Sequence, residues 1–523
     1  MTQQQETTPR SASGDARAMA AYLDKVATVM GGTEAMREAG EKYLPKFPNE
    51  STTDYAFRKS NAKFTNIFGD IVETLASKPF SEEIEVTGAG PLLEPLLEDI
   101  DGQGNHVHVV AASVFYAAVA DAITWVLVDH LGGVGPGATI AEERAAGARP
   151  VWVHVPHANV IAVYSEVVGG KEMIVHARLL EVSAERSGPW GEKIVERVRV
   201  YDREVTRDPA TNRAVSAAPA TWTLYEEREA AQGSGRKEWV TVAEGVISIG
   251  VIPMVPLITG RRSGASWRIR PPLKAALDIQ LEHYEQESGL KHAIALNNFT
   301  MLAGNGVQPP TGPDGKPVTA PVGPMTVLYA PPNGDGQHGE WKWLQVETDG
   351  LEFASKHIAS IEAQIRELGR QPLTAQSGNI TTITAAFAGD KAHTVIEAWA
   401  LNAKDAIEKA LALTEMWLGE AADPEVEIKT DFALGLKDDD GSKDLIEARK
   451  NGDLSQATLW SELKRRGKLS ANFDADEERK RLLEEAPGDP TEEEIAALDA
   501  ENAALTDRNQ ADPEEDPSQM ADA

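Results

Sequence analysis

The chain has 523 residues, of which 41% are hydrophobic and none is cysteine, and its formal net charge is −31. One hydrophobic core rarely organises so long a chain, so we expect several domains or an elongated subunit. The lack of cysteine excludes disulfides, thiol nucleophiles and iron–sulfur clusters, and the negative charge excludes a broadly basic DNA-binding surface and attraction to anionic membranes.

The N-terminal part of the sequence predicts helices after a short arm. Residues 1–16 are polar and predict a flexible arm, and helices are predicted over 17–45 and 52–77. The second begins at Ser51 or Thr52, because both are good N-cap residues, and "SKPF" ends it. No apolar run suits a secretion signal or a membrane span, so we expect a soluble protein without a membrane partner.

A helix over 106–122 and the apolar strand "ITWVLVDHL" are predicted next. Alternating apolar and polar residues then predict antiparallel strands with one solvent-facing side. These strands are "EMIVHARLLEV", "ERVRVYDREV", "ATWTLYEERE" and "EWVTVAEGVISIG". The part of the chain that ends near residue 265 is therefore predicted to be α+β.

The second half of the sequence is predicted to be mainly helical. A long helix is predicted over 271–298, with Pro272 in its first turn, and the heptad-like spacing of apolar residues predicts another over 351–368. Between them, residues 304–340 are rich in Gly and Pro around the strand-like "PMTVLYA", which indicates a small protruding module. Gly369 is suited to ending the second of these helices.

A segment without charge follows. Residues 371–389 contain no Asp, Glu, Lys, Arg or His, and helical spacing resumes over 391–419. We predict a flexible neutral loop between two helices, because connections of this length are usually functional or disordered. A charged helical segment follows, and from Glu484 to Ala523 there are fourteen acidic residues and one basic residue, which predicts a solvated tail.

No residue pattern supports catalysis. "GGVGPGAT", residues 132–139, follows a strand and fits the Gly and Thr positions of a P-loop. Ala138 stands where the phosphate-binding lysine belongs, so the segment is predicted to be a turn rather than a nucleotide site. The run from Asp438 to Asp440 is interpreted as a solvated loop, and no catalytic residue is assigned.

Metal and cofactor sites are not expected either. "HVH" and "HVPH" place His106, His108, His154 and His157 among valines typical of strand starts, without carboxylates at ligand spacing. Trp399 and Trp417 lie eighteen residues apart, or five helical turns, so they share one helix face and are predicted to pack in a core or between subunits.

Several sequence segments resemble the portal proteins of tailed bacteriophages. They are "GVIPMVPLITGRR", "PPLKAALDIQLEHYEQESGLKHAIALNNFTMLAGNG", "YLPKFPNESTTDYAFRKSNAKFTN" and "RVRVYDREV". The order of the predicted elements is similar as well, and the resemblance extends over about residues 40–480. The segment "GGVGPGATIAEERAAGARP" and the acidic tail have no counterpart in it.

The resemblance implies an elongated portal-type subunit with an α+β wing, a helical stem, a small clip, a long kinked helix and a helical crown. It divides the chain as follows: arm 1–16, wing 17–265, stem helices 266–299 and 349–369, clip 300–348, tunnel loop 370–390, long helix 391–420, crown 421–485, and acidic tail 486–523. Such subunits form a homo-oligomeric ring, usually of twelve copies, at the capsid vertex of a virion assembled in the host cytoplasm. No catalytic role, cofactor or metal is implied.

The tunnel loop would face double-stranded DNA in the channel of the ring. Its implied channel residues are Gln371, Thr374, Gln376, Ser377, Gly378, Asn379, Thr381, Thr382 and Thr384. Basic residues near the loop could contact phosphates, but pairing with acidic neighbours explains them better. They are Lys356, Arg366, Arg370 and Lys391.

The implied partners are the terminase large subunit and a head–tail adaptor at the clip, together with the major capsid and scaffolding proteins. Two other functions remain open on the sequence. One is a nucleotide-binding enzyme that uses residues 132–139, and the other is an oligomeric virion scaffold or adaptor unrelated to portals.

Overall fold

The computed structural model describes residues 8–130, 142, 146–230, 235–298, 301–306, 313–314, 316, 339–344, 348–369, 382–430, 432, 442–465, 468–469, 473 and 475–484. The chain divides into two compact units, Met1–Ala433 and Leu434–Ala523. The first unit combines helices with sheets of antiparallel strands, so the predicted α+β class is confirmed.

Five helices precede the first long strand: α1 (Gly14–Met30), α2 (Gly32–Ala39), α3 (Thr52–Asn61), α4 (Ile67–Ser77) and α5 (Val107–Asp121). Ser13 caps α1 and Ser51 caps α3, because each hydroxyl accepts a hydrogen bond from the backbone N–H three residues later. The start predicted at Ser51 or Thr52 is therefore confirmed, with Ser51 as the N-cap and Thr52 as the first helical residue. The predicted arm is wrong at its end, since α1 begins at Gly14 and Ser13 N–H bonds to Ile161 O at 3.0 Å.

The continuous helix predicted over 52–77 is wrong, because the chain breaks between α3 and α4. The side chain of Asn66 accepts from Gly69 N–H at 2.8 Å and so caps α4. Gln280 Oε1 accepts from the N–H groups of Ile67 and Phe68, each at 3.0 Å. A side chain more than two hundred residues away thus accepts the hydrogen bonds of the first N–H groups of α4. The spacing of apolar residues in the local sequence does not predict this contact.

The helix predicted over 17–45 is also interrupted. Gly32 has a φ of +75°, which separates α1 from α2, and α2 ends at Ala39. Left-handed backbone at this position ends the regular turn even though apolar residues continue at helical spacing. The helix predicted over 106–122 and the strand that follows it are confirmed by α5 and by β2 below.

Two larger sheets form the body of the first unit. The first ten strands in chain order are β1 (Glu85–Thr87), β2 (Ile123–His130), β3 (Pro150–Val155), β4 (Val160–Val168), β5 (Lys171–Ser187), β6 (Gly191–Asp202), β7 (Val205–Arg207), β8 (Ala214–Ala217), β9 (Thr221–Glu229) and β10 (Lys237–Val246). Those that follow are β11 (Met254–Ile258), β12 (Arg261–Arg262) and β13 (Ile269–Arg270). The sheet orders are β11-β2-β3 and β10-β9-β6-β5-β4.

β2 is the centre of the three-stranded sheet and the most deeply buried strand. Its first six residues are all buried, as its unbroken apolar sequence predicts. Arg199 of β6 reaches across to β2, where its Nη1 donates to Asp129 Oδ2 at 3.0 Å. This bond connects the five-stranded sheet to the three-stranded sheet.

The C-terminal half of the first unit contains α6 (Lys274–Asn298), β14 (Met301–Asn305), β15 (Glu340–Leu344), α7 (Thr348–Leu368), α8 (Thr382–Leu418) and β16 (Glu425–Glu427). The chain leaves α6 through β14 and returns through the antiparallel strand β15 into α7, so α6 and α7 form an antiparallel helical pair. The predicted strand "PMTVLYA" lies outside the described residues.

The second unit contains α9 (Ser442–Lys450), α10 (Gln456–Arg465) and α11 (Ala475–Glu484), in agreement with the predicted helical segment. Trp460 of α10 meets Phe473 edge to face, with ring centroids 5.6 Å apart. The predicted acidic tail, residues 486–523, lies outside the described residues. None of the helices in the described ranges has both the length and the hydropathy needed to cross a bilayer.

Candidate functional site

The predicted channel residues lie where α7 ends and α8 begins. Seven of them are outside the described residues: Gln371, Thr374, Gln376, Ser377, Gly378, Asn379 and Thr381. Thr382 and Thr384 lie in the first turn of α8, so this helix starts nine residues before the predicted position 391. The reason is composition, because residues 382–388 contain three alanines and no proline, and lack of charge does not oppose a helix.

The upstream end of this connection is fixed to the body of the unit at Gly369. Gly369 N–H donates to Ile365 O at 2.8 Å, and its φ is not in the left-handed region. A Cβ at this position would lie 2.9 Å from Ile71 Cγ2 and closer still to Cδ1. The sequence explains Gly369 as a helix terminator, whereas the structure requires glycine because α7 and α4 touch here.

α7 is held against α6 and α4 by one apolar face. Ile358, Ile361 and Ile365 are buried, as the heptad-like spacing predicts. His283 of α6 is fully buried, and its Nε2 lies 3.2 Å from Glu362 Oε1 on α7. The last turns of α7 therefore provide a rigid start for the connection.

The downstream anchor is α8, from Val395 onward. Of the apolar residues at helical spacing in this segment, Trp399, Ala403, Ala406 and Ala410 are buried, whereas Val395, Leu413 and Trp417 are half-buried. The alanines allow α8 to pack closely against the sheet β11-β2-β3. Trp399 therefore packs in the core, one of the two alternatives that the sequence left open.

The last turns of α8 add hydrogen bonds to this packing. Trp417 Nε1 donates to Val128 O on β2 at 3.1 Å, and Trp152 Nε1 of β3 donates to Thr414 Oγ1 at 2.9 Å. Both indole groups would otherwise be costly to bury. The helix is thus attached to two adjacent strands by side chains that also fill the core.

Two acidic residues bind the segment around Gly90 to the end of α8. Glu415 is almost fully buried, and its Oε1 accepts from Gly90 N–H at 3.0 Å. Glu420 accepts from Leu92 N–H at 3.1 Å, so two carboxylates secure the same short segment. Neither residue belongs to a predicted site, although a glutamate among the apolar residues "LALTEMWL" is a sequence signal for a buried carboxylate at Glu415.

The basic residues near the connection have acidic neighbours where they are described. Lys356 Nζ lies 2.7 Å from Glu352 Oε1 on the same helix, and Arg366 Nη1 lies 3.0 Å from Asp70 Oδ2 on α4. Arg370 lies outside the described residues, and Lys391 is described only as part of the α8 backbone. Arg366 therefore pairs with a residue of a neighbouring helix, whereas Lys356 pairs within its own helix.

The four histidines are in separate surroundings. His106 caps the start of α5 instead of beginning a strand, because its ring accepts from His108 N–H at 3.2 Å. Burial lowers the pKa of His157 to about 4, so its neutral ring accepts from Trp125 Nε1 at 3.0 Å. His154 Nε2 lies 2.7 Å from Thr124 Oγ1. Within the described ranges no group of three His, Asp or Glu side chains could hold a metal ion.

The Gly-rich segment 132–139 and the run from Asp438 to Asp440 lie outside the described residues. The predicted module 304–340 is described at its base, where β14 and β15 pair. There, Asn305 lies opposite Glu340 and Leu302 opposite Trp343. The base of this module is therefore a regular antiparallel ladder that continues the α6–α7 pair.

Residues 272–418 match the model of a family described as a domain of unknown function, DUF4055. The match extends from the residues before α6 to the end of α8, and so contains the helical pair, the connection and the long helix. No curated protein sequence matches the chain.

Solved structures of gene transfer agent particles have some similarity to the chain. The neck of an empty particle, computed with C6 symmetry, is 13% identical with a TM-score of 0.37, over 84% of this chain and 95% of the other. The neck of a native particle, computed with C12 symmetry, is 12% identical with a TM-score of 0.36, over 81% and 96%. The virion of a native particle gives 14% identity and a TM-score of 0.33, over 88% and 99%. TM-scores below 0.5 do not establish a shared fold.

Proposed function

We propose that the chain is a portal protein, a structural component of a phage-like virion. Copies of it form a ring at one capsid vertex, and the ring is the channel through which double-stranded DNA is packaged and later ejected. The proposal rests on the resemblance of residues 40–480 to portal proteins and assigns the chain no catalytic activity.

The observation that carries the proposal is the uncharged connection held between two fixed helices. α7 ends at Gly369 against Ile71, and the buried face of α8 packs on the three-stranded sheet from Ile396 onward. Residues 371–389 between these anchors have no charged side chain, although a quarter of the chain is charged. A segment placed in this way can reach DNA without binding it strongly.

An uncharged segment is suited to the wall of a channel through which DNA moves. Each Lys or Arg that neutralises a phosphate releases counterions and adds salt-dependent affinity, which would hold the DNA in place. Neutral Thr, Ser, Asn and Gln side chains form only modest hydrogen bonds. The net charge of −31 adds a repulsive field, so DNA passes along the wall and does not adhere to it.

The antiparallel α6–α7 pair and the ladder at its end suit a docking role. Turn-rich segments on a rigid support commonly carry binding function. In the proposed ring, residues 300–348 bind the terminase large subunit during packaging and a head–tail adaptor afterwards. The α+β body contacts the major capsid and scaffolding proteins.

The experiment that tests the function has two stages. Purified full-length protein is first examined by mass photometry and negative-stain electron microscopy, and closed rings of many copies with a central opening are expected. The rings are then supplied to a reconstituted packaging reaction with prohead, terminase and double-stranded DNA, and DNA uptake is expected only with rings. Protein that stays monomeric at high concentration, or rings that give no uptake, would overturn the proposal.

A further inference from the structure

The outward face of α5 has no charge. Val109 is 51% exposed and Tyr116 is 38% exposed, and Ser113 between them is also exposed. From Val107 to Ala120 the helix contains no Asp, Glu, Lys or Arg, in a chain with 25% charged residues. Helices that face water normally have a charged side, so an apolar outer face indicates that something covers it.

A second apolar feature is the tip of the β5–β6 hairpin. Trp190 at this tip is 98% exposed. The turn that presents it is fixed, because Arg186 donates from Nε to Gly188 O at 3.1 Å and from Nη2 to Pro189 O at 3.0 Å. A large aromatic side chain on a preorganised turn loses little conformational entropy on binding, which is typical of an interface anchor.

Other exposed apolar side chains lie farther along the same hairpin. Ala184 lies opposite Ile194 in the ladder, and Val182 is two residues earlier on the same face. Val182 and Ile194 are both more than half exposed. Arg186 and Glu192 form the next pair on this face, between these residues and the tip. Trp190 is therefore an isolated apolar anchor, and a second apolar group lies farther along the hairpin.

The two features have complementary charges at their margins. Lys193 is exposed and lies three residues after Trp190. Glu73 on α4 is also exposed, and it lies near Tyr116. Burial is the main cause that raises the pKa of the Tyr116 phenol, and the charge of Glu73 adds to it. Neither Lys193 nor Glu73 forms an ion pair within the described part of the chain. Residues 183–195 contain two acidic and two basic residues, so this hairpin is locally neutral in a chain of net charge −31.

We infer that the hairpin tip of one copy docks on the outer face of α5 of a second copy. Trp190 lies over the small residues Ala112 and Ser113, between Val109 and Tyr116, and Lys193 meets Glu73. A second copy is the occupant because strongly acidic chains repel one another except where their surfaces are uncharged or opposite in charge, and these two surfaces meet both conditions.

The inferred contact joins two different surfaces of the same chain, so it is heterologous. Contacts of this kind generate rings when the rotation closes. The inference rests on the proposed function and specifies how neighbouring subunits of the ring recognise each other.

Charge exchange between the two surfaces is the sharpest test. Lys193→Glu and Glu73→Lys should each lower the fraction of chain in rings, and the double variant should restore it, measured by mass photometry of the full chain over a range of concentrations. Trp190→Ala should raise the apparent dissociation constant by at least about tenfold, as expected for an aromatic anchor. Because Trp190 is exposed, this variant should unfold at the same temperature as wild type.

Two matched controls accompany these variants. Lys171→Glu makes the same charge reversal at the other end of β5, and Val246→Ala removes an exposed apolar side chain from β10. Neither should change assembly. Rings that form equally well in all variants would overturn the inference alone, and so would variants that assemble normally but fail to enter proheads, because the tip would then bind a capsid component. A monomeric wild type would overturn the proposed function together with the inference.

Discussion

Arg58 and Glu50 form a bidentate ion pair that is almost completely removed from water. Arg58 donates from Nε to Glu50 Oε1 and from Nη2 to Oε2, each at 2.8 Å, and Nη2 also donates to Pro45 O at 2.7 Å. The side chains are 2% and 6% exposed. The pair fixes the segment before α3 to α3 itself, and the guanidinium lowers the pKa of Glu50 to about 2.

Glu50→Gln should lower the free energy of unfolding by about 3–5 kcal/mol, because it leaves the buried charge of Arg58 without its partner. The pKa of Glu50 is lowered from 4.5, so the stabilisation is fully present above about pH 4.5 and is lost as the pH falls through about 2. Urea unfolding of wild type and variant should therefore differ by a constant amount from pH 7 to pH 5, and by a smaller amount at pH 3.5.

The matched control is Glu352→Gln, which removes the same charge from the exposed pair with Lys356. An exposed pair one helical turn apart contributes at most about 0.5 kcal/mol, so this variant should unfold almost as wild type does. Equal effects of the two substitutions would contradict the role assigned to the Glu50 pair.

Gly369→Ala should destabilise the first unit, because its methyl group would collide with Ile71. Overpacking of this kind costs about 1–3 kcal/mol. Gly289→Ala in α6 is the control: no atom lies within 4 Å of its built Cβ, and alanine favours a helix over glycine by about 1 kcal/mol. Urea midpoints should thus move in opposite directions, and a Gly369→Ala variant as stable as wild type would show that the contact with Ile71 is loose.

Sequence spacing predicts α5, α7, β2 and four strands of the five-stranded sheet, β5, β6, β9 and β10, but it does not predict the edge strand β4. It failed between α3 and α4. Phe57, Phe64 and Ile67 keep helical spacing across the break, yet Phe57 is 53% exposed and the start of α4 is satisfied by Gln280. A hydrogen bond from a distant side chain leaves no periodic trace in the local sequence.

The candidate site was predictable to a similar extent. The uncharged run, the two amphipathic helices around it and the buried face of α8 are visible in the sequence, whereas two tertiary contacts that fix the ends of these helices are not. The close approach of Gly369 to Ile71 depends on how α7 and α4 meet, and the hydrogen bond from Gly90 N–H to Glu415 depends on a segment more than three hundred residues earlier. Such contacts depend on tertiary packing, which neither helix propensity nor charge pattern predicts.

Arginine at both Thr381 and Thr382 should slow DNA packaging at low ionic strength. In the proposed ring every copy would add two cations beside the DNA, and each neutralised phosphate steepens the dependence of binding on salt by about 0.9 logarithmic units. Packaged DNA length in assembled heads, measured over time at low and high salt, reports the effect. The control replaces both residues by serine and should package at the wild-type rate; arginine variants that do the same would show that these positions do not meet DNA.

The module above the β14–β15 ladder should be separable from ring formation. Asn305 and Glu340 lie opposite each other, so replacing residues 306–339 by Asn-Gly gives a two-residue hairpin that preserves the ladder. The shortened protein should form rings of unchanged subunit number but bind terminase at least about tenfold more weakly. Affinity for immobilised rings checks this outcome, and undiminished terminase binding would place the docking surface elsewhere.

α8 also gives the chain a mechanical property. With 37 residues in one helix it is about 55 Å long, and it extends from the connection at Thr382 to Trp417, which bonds to Val128. A continuous helix transmits an axial push as a displacement of its whole length. In the proposed ring, a load applied at the connection would therefore be delivered to β2, the most deeply buried strand, and would strain the core of the unit.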